Sequence, residues 1–141
     1  MSENLIWISF ALLSAFFASL VAIFGKIGVQ GIDSTLATTL RAVIMAVFLV
    51  FISFFLGKFS LFSQISSRPL LFIILAGVAG ALSWLFYFYA LKFGPVKSVA
   101  SLDRLSVAFA IILAVVFLGE HLVLKNIIGL ILLIIGSILL L

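Results

Sequence analysis

The chain has no cysteine, 2 prolines, 1 histidine and 4 acidic residues among 141. Each shortage removes a class of function. Without cysteine there is no disulfide framework, no thiol nucleophile and no thiolate metal site. His121 stands beside Glu120 at a helix end, and the carboxylates are scattered along the chain, so neither a metal cluster nor a catalytic triad is expected. No glycine-rich phosphate loop is present, which argues against nucleotide-driven pumping by this chain. The expectation is therefore no enzyme, no metal and no cofactor. Charged residues amount to 9% of the chain, against about a quarter in a soluble domain. The net charge of +4 comes from dispersed residues without a basic run. That pattern suits anchoring at a membrane surface, and nucleic acid is not an expected partner.

What fills the chain instead is apolar: 67% of residues, including 16 phenylalanines. A water-soluble core of this size has no room for so many large side chains, so the surplus must face lipid. Crossing the hydrocarbon of a bilayer takes about 20 apolar residues as a helix. Five stretches qualify: Leu5–Gly25, Leu36–Leu56, Leu70–Leu91, Ser98–Leu118 and Ile127–Leu141. Their runs are unbroken rather than alternating, which disfavours a β-barrel. The fold class expected is an all-α integral membrane protein of five transmembrane helices, as a single domain over residues 1–141. The leader Met1-Ser2-Glu3-Asn4 has no Lys or Arg, and the first apolar run is too long for a cleaved signal peptide.

The connections are short and marked. Lys26 to Ser34 joins the first two spans, with Asp33 or Ser34 as N-cap. Gly57 to Pro69 is the longest loop, and Pro69 suits a first helical turn. Gly94-Pro95 signals a turn between the third and fourth spans. Gly119 to Asn126 precedes the fifth. With five spans, the loops on the N-terminal side carry Lys58, Arg68 and Lys125, and those opposite carry Lys26, Lys92 and Lys97. Equal counts leave the orientation undecided under the positive-inside rule. They are what a chain inserting in both orientations shows, and small numbers balance by chance as well.

Three ionisable residues fall inside spans: Arg41, Asp103 and Arg104. A charge there costs several kcal/mol unless paired or hydrated, which makes each a functional candidate. The arginines can instead snorkel to the near interface. Asp103 is too short to do so and needs a cation, such as Arg41 or Arg104 of another helix. Ser34, Thr38, Arg41 and Met45 share one face of the second helix, and Asp103, Ser106, Ala110 and Ala114 share one face of the fourth. The two stripes either wall a water-accessible vestibule or simply let helices pack. On the third helix Gly77, Gly80, Trp84 and Tyr87 lie on one face, where small residues beside aromatics can form a pocket for an apolar or cationic ligand. Trp7 is placed as an interfacial belt residue. Ala11, Ala15, Ala18 and Ala22 form a small-residue seam on the first helix, and Gly129 and Gly136 share a face of the fifth.

Taken in order, Trp7 with its small-residue helix, Lys26, Thr39-Leu40-Arg41, Trp84 through Ala90-Leu91-Lys92-Phe93-Gly94, and Val116-Phe117-Leu118-Gly119-Glu120 cover nearly the whole chain. In these features it resembles the EamA family of the drug/metabolite transporter superfamily, in its short five-helix form. Longer members carry two inverted five-helix halves with the substrate path between them. The resemblance implies a small-molecule substrate, a lipid bilayer, and a pair of chains. The pair is an antiparallel homodimer or a heterodimer with a second five-helix chain. The Gly129–Gly136 spacing is similar to the dimerisation seam of the related small multidrug resistance proteins. Their first-helix glutamate has no counterpart here, so their proton coupling is not carried over. The resemblance does not cover Asp103-Arg104 either, whose candidacy rests on depth and cost. The function expected is secondary transport by alternating access in the cell membrane. Arg41, Trp84, Tyr87, Asp103 and Arg104 stand along the path; Arg41 is expected to hold an anionic group or to close a gate with Asp103, and Asp103 is a gate partner or proton-coupling group. A non-transporting subunit of another membrane complex is the competing class.

Overall fold

The fold is that of a computed structural model. It describes residues 3–141, with side chains from residue 6 onward, so Met1, Ser2 and the side chains of Glu3, Asn4 and Leu5 lie outside the described residues. The described chain is all helical. It comprises α1 (Glu3–Gly28), α2 (Ser34–Phe55), a 3-10 segment (Lys58–Gln64), α3 (Ser67–Phe93), α4 (Val96–Asp103), α5 (Leu105–Leu118) and α6 (Leu124–Leu139). Four stretches are long and apolar enough to cross a membrane: Ile6–Gly28, Ser34–Phe55, Ser67–Phe93 and Val96–Leu118. In the most apolar part of each, between 0% and 11% of residues are buried. Helices that are apolar all round and so little buried require lipid or partner helices as their solvent.

The helices outrun the expected spans at both ends. α1 continues to Gly28, so Lys26 lies in its last turn rather than in a loop. The loop expected at Gly57 to Pro69 is largely the 3-10 segment, entered through Gly57 in the left-handed region at φ 64°. α6 has 16 residues, about 24 Å of helix, which is less than the full hydrocarbon thickness.

The chain divides into two units, one formed by residues up to Lys26 together with Phe93–Leu141, the other by Ile27–Lys92. Polar contacts at the helix ends order the first unit. The Lys26 ammonium donates to the Gly94 carbonyl at 2.9 Å, which ties the end of α1 to the turn before α4. The Ser98 hydroxyl bonds the carbonyls of Leu140 (3.3 Å) and Leu141 (3.1 Å), which ties the start of α4 to the end of α6. α6 packs on both α4 and α5.

The fourth span is not one continuous helix. At Arg104 the backbone tightens: its N–H bonds the Ser101 carbonyl, and the Val107 N–H bonds the Arg104 carbonyl, both three residues back. This 3-10 step separates α4 from α5 with neither proline nor glycine at the joint. The more buried face of the span runs Ser101, Leu105, Ala108, Ile111 and Val115. Asp103, Ser106 and Ala110 are exposed on this chain, and only Ala114 of the expected stripe is half-buried. The stripe thus lies on the face away from the chain's own packing, because Asp103 lies two residues from the buried Ser101, nearly opposite it on the helix.

The seams fare unevenly. Ala22 is buried and Ala18 half-buried, whereas Ala11 and Ala15 are exposed. A Cβ added at Gly129 or Gly136 meets nothing within 4 Å, so neither glycine mediates a close approach among the described residues. Trp7 is exposed, as a belt residue must be.

In the second unit, Asp33 caps α2. Its carboxylate accepts from the backbone N–H groups of Thr35 (2.9 Å) and Leu36 (3.0 Å). The Leu36 bond above all, aided by the Thr35 bonds and the charge of Lys92, holds the Asp33 carboxyl below its ordinary range against the opposing effect of desolvation. A depressed carboxyl stabilises the fold above its unfolded pKa, and that stability is lost as pH falls through the folded value. Amide exchange at Thr35 and Leu36 is therefore expected to lose protection as pH falls through and below the ordinary aspartate range. Asp33→Asn, which caps without ionising, removes that dependence. Protection that stays flat in the wild-type chain over this interval contradicts the assignment.

Candidate functional site

The site lies within the second unit, between α2 and α3. Arg41 stands two turns into α2, on the face that carries Ser34, Thr38 and Met45. Ser34 and Thr38 are buried, Arg41 is half-buried and Met45 is exposed. Two of the threonine hydroxyls near Arg41 are committed to the backbone. Thr38 donates to the Ser34 carbonyl at 2.8 Å and Thr39 to the Thr35 carbonyl at 2.9 Å. Such bonds four residues back relieve the cost of a hydroxyl in an apolar helix. They also leave Arg41 as the strong donor of this wall.

On α3, Trp84 receives Arg41. The guanidinium carbon lies 3.6 Å from the indole centroid and 5.7 Å from the Phe88 ring. Trp84 meets Tyr87 edge-on at 5.4 Å and Phe88 at 6.1 Å, and Tyr87 lies 6.4 Å from Phe88. Three aromatic rings thus form one platform, with the cation on its indole. A guanidinium is weakly hydrated on its faces and strongly on its edge. Stacking covers a face with the negative π-surface and leaves the in-plane N–H groups free. Among the described residues Arg41 has no hydrogen bond and no carboxylate partner.

From this platform an open cleft of about 870 Å³ runs along both helices. Thr35, Thr38, Thr39, Arg41, Ala42, Met45, Ala46 and Leu49 line it from α2. Ala76, Gly77, Val78, Gly80, Ala81, Leu82, Trp84 and Leu85 line it from α3. A Cβ added at Gly77 or Gly80 meets nothing within 4 Å. These glycines border open space instead of serving a close helix contact.

Arg41, Trp84 and Tyr87, placed along one path from the sequence, are thus gathered in this unit, and Gly77 and Gly80 line the same cleft. Asp103 and Arg104 belong to the other unit, exposed at the joint between α4 and α5. Residue order alone does not single out two features of the site. Phe88 is a buried member of the platform, although its position four residues after Trp84 is a usable signal. The direct stacking of Arg41 on Trp84 has no such signal, since each helix shows its own faces and not which faces meet.

The comparisons agree with this architecture. The family model described as the EamA-like transporter family matches residues 5–141. A protein of Sinorhizobium sp, described as an uncharacterized transporter in the cobO 3' region, is 43% identical over 134 residues, covering 95% of each chain. No solved structure matches the chain. With apolar helices long enough to cross a bilayer and a family match over nearly its whole length, the chain is a multi-pass membrane protein that belongs to the EamA-like transporter family.

Proposed function

We propose that the chain is half of a secondary transporter of the cell membrane and moves a small molecule by alternating access. Two copies pair in antiparallel orientation, and the α2–α3 cleft forms the cargo path of each copy. The observation that carries this reading is the cleft itself. It combines a volume in the range of small-molecule sites with a mostly apolar lining, three threonines and one charged group, Arg41. Transport as the class of activity comes from the family and from the relative described as a transporter.

The helix ends support five crossings. Lys26 with Gly94 and Ser98 with Leu140–Leu141 join ends that must lie on one side of the membrane if the passes alternate. The field of Lys92 on Asp33 joins the end of α3 to the start of α2 in the same way. The short α6 then crosses by local thinning of the bilayer or by pairing with another helix. An inverted pair rebuilds the symmetry that membrane transporters use for alternating access. The equal numbers of basic residues in the two sets of loops suit insertion in both orientations. The outward Asp103, about 10 Å into its span, is costly toward lipid. A second chain, or water admitted between the chains, relieves that cost. In this reading Asp103 is a gate or proton-coupling residue contributed at the contact between copies.

Orientation is the test. The chain has no cysteine, so one cysteine at Gln64 or appended after Leu141 reports without interference. Intact cells are treated with a membrane-impermeant thiol reagent. Labelling of about half of the molecules at each site is expected for dual insertion. Complete labelling at one site and none at the other excludes the antiparallel homodimer. The search then turns to a second five-helix chain of opposite orientation.

A further inference from the structure

We infer that the α2–α3 cleft selects an organic anion, a carboxylate or phosphate group carried on an apolar body. The inference rests on the reading of the cleft as the cargo path and specifies what enters it. Three observations carry it. Of the residues lining the cleft, Arg41 alone is ionisable. Its guanidinium is held face-on by Trp84 at 3.6 Å, and no hydrogen bond or carboxylate of the described residues occupies its edge. The geometry presents a planar donor fork, the arrangement that matches the two oxygens of a carboxylate or phosphate.

The third observation concerns what else the cleft offers. The Thr38 and Thr39 hydroxyl hydrogens are spent on backbone carbonyls, so Arg41 is the one charged anchor the cleft offers the anion. Away from Arg41 the walls are Met45, Leu49, Val78 and Leu82. They suit an apolar body and offer a charged one nothing. A cationic cargo is disfavoured, because it meets the Arg41 charge in a medium of low dielectric with no carboxylate on the wall.

The test reads binding and not flux. The chain has 2 tryptophans, so Trp7→Phe leaves Trp84 as the only indole reporter. The full-length protein is placed in phosphatidylcholine bilayers and titrated with phenylacetate, phenylacetamide and phenethylammonium, three probes with a common benzyl body and different charge. Phenylacetate is expected to change Trp84 emission saturably, with the amide and the ammonium weaker by at least about tenfold. Arg41→Gln is expected to abolish that preference, and Arg41→Lys, which keeps the charge without the fork, to retain part of it.

Equal binding of the three probes, preference for the ammonium, or no saturable response to any of them overturns the inference. Displacement of phenylacetate by phosphatidylglycerol added to the bilayer also overturns it, by assigning the fork to a lipid headgroup. A protein that shows the charge order but moves no solute defeats the transport reading and leaves the anion site standing. A protein that transports but binds amide and carboxylate alike defeats only the anion site.

Discussion

Trp84→Ala is expected to abolish cargo binding in the α2–α3 cleft and to lower the thermal midpoint of the protein, whereas Trp84→Phe keeps a measurable part of both. The indole covers one face of the Arg41 guanidinium at 3.6 Å and makes edge-on contacts with Tyr87 at 5.4 Å and Phe88 at 6.1 Å. A partly desolvated cation–π contact contributes about 1–2 kcal/mol, and each aromatic pair about 0.5–1.5 kcal/mol. Together these make a loss of about 2–5 kcal/mol, shared between folding and the preorganisation of Arg41. Freed from its platform, the guanidinium swings toward the interface by snorkelling, and the cleft loses its anchor. Phenylalanine restores a ring with a weaker quadrupole and less area. Trp84→Ala protein that binds cargo as tightly as wild type shows that the platform does not position Arg41.

The second large effect concerns a fully buried side chain of α3. Leu91 is fully buried at 0% exposure, with Phe88 at 4% and Val29 at 1% among the buried residues of the second unit. Leu91→Ala is expected to destabilise the protein by about 2–5 kcal/mol, because the cavity left behind cannot be filled by lipid or by a second layer of core. Leu71 on the same helix is 54% exposed. Leu71→Ala there exchanges contacts with lipid and costs about 0.5 kcal/mol or less. The two variants are compared by thermal unfolding in the same detergent. Equal midpoints contradict the burial of Leu91 and the division between core and lipid-facing surface.

Much of the architecture is legible in residue order alone, for reasons specific to membranes. A segment must satisfy its own backbone in hydrocarbon, so apolar length maps directly onto helix, and α1, α2 and α3 fall where the hydropathy puts them. Asp33 is legible as a cap because its side chain serves only its own helix. Two kinds of feature are not legible. The joint at Arg104 breaks a span with no proline or glycine to announce it. The meeting of Arg41 with Trp84 depends on which faces of two helices oppose, 43 positions apart in the numbering. Both residues stand out singly by depth and type, and only packing makes them one object. The buried face of the fourth span is not legible for a related reason, since its polar stripe from Asp103 to Ala114 is conspicuous in the sequence while the small residues Ser101 and Ala108 hold the buried side.

The tightened backbone at Arg104 has a mechanical consequence. A continuous helix is a stiff rod, and movement at one end reaches the other undiminished. Here a short arm, α4 of 8 residues, meets a longer one, α5 of 14 residues, at a single joint. The longer arm measures about 21 Å, so a flexure of about 10° at the joint displaces its far end by about 4 Å, more than the radius of a water molecule. The backbone hydrogen bonds within each arm stay intact while this happens. The span is therefore a lever with its fulcrum beside Asp103, where a small movement near the joint becomes a larger one at the far end of the long arm.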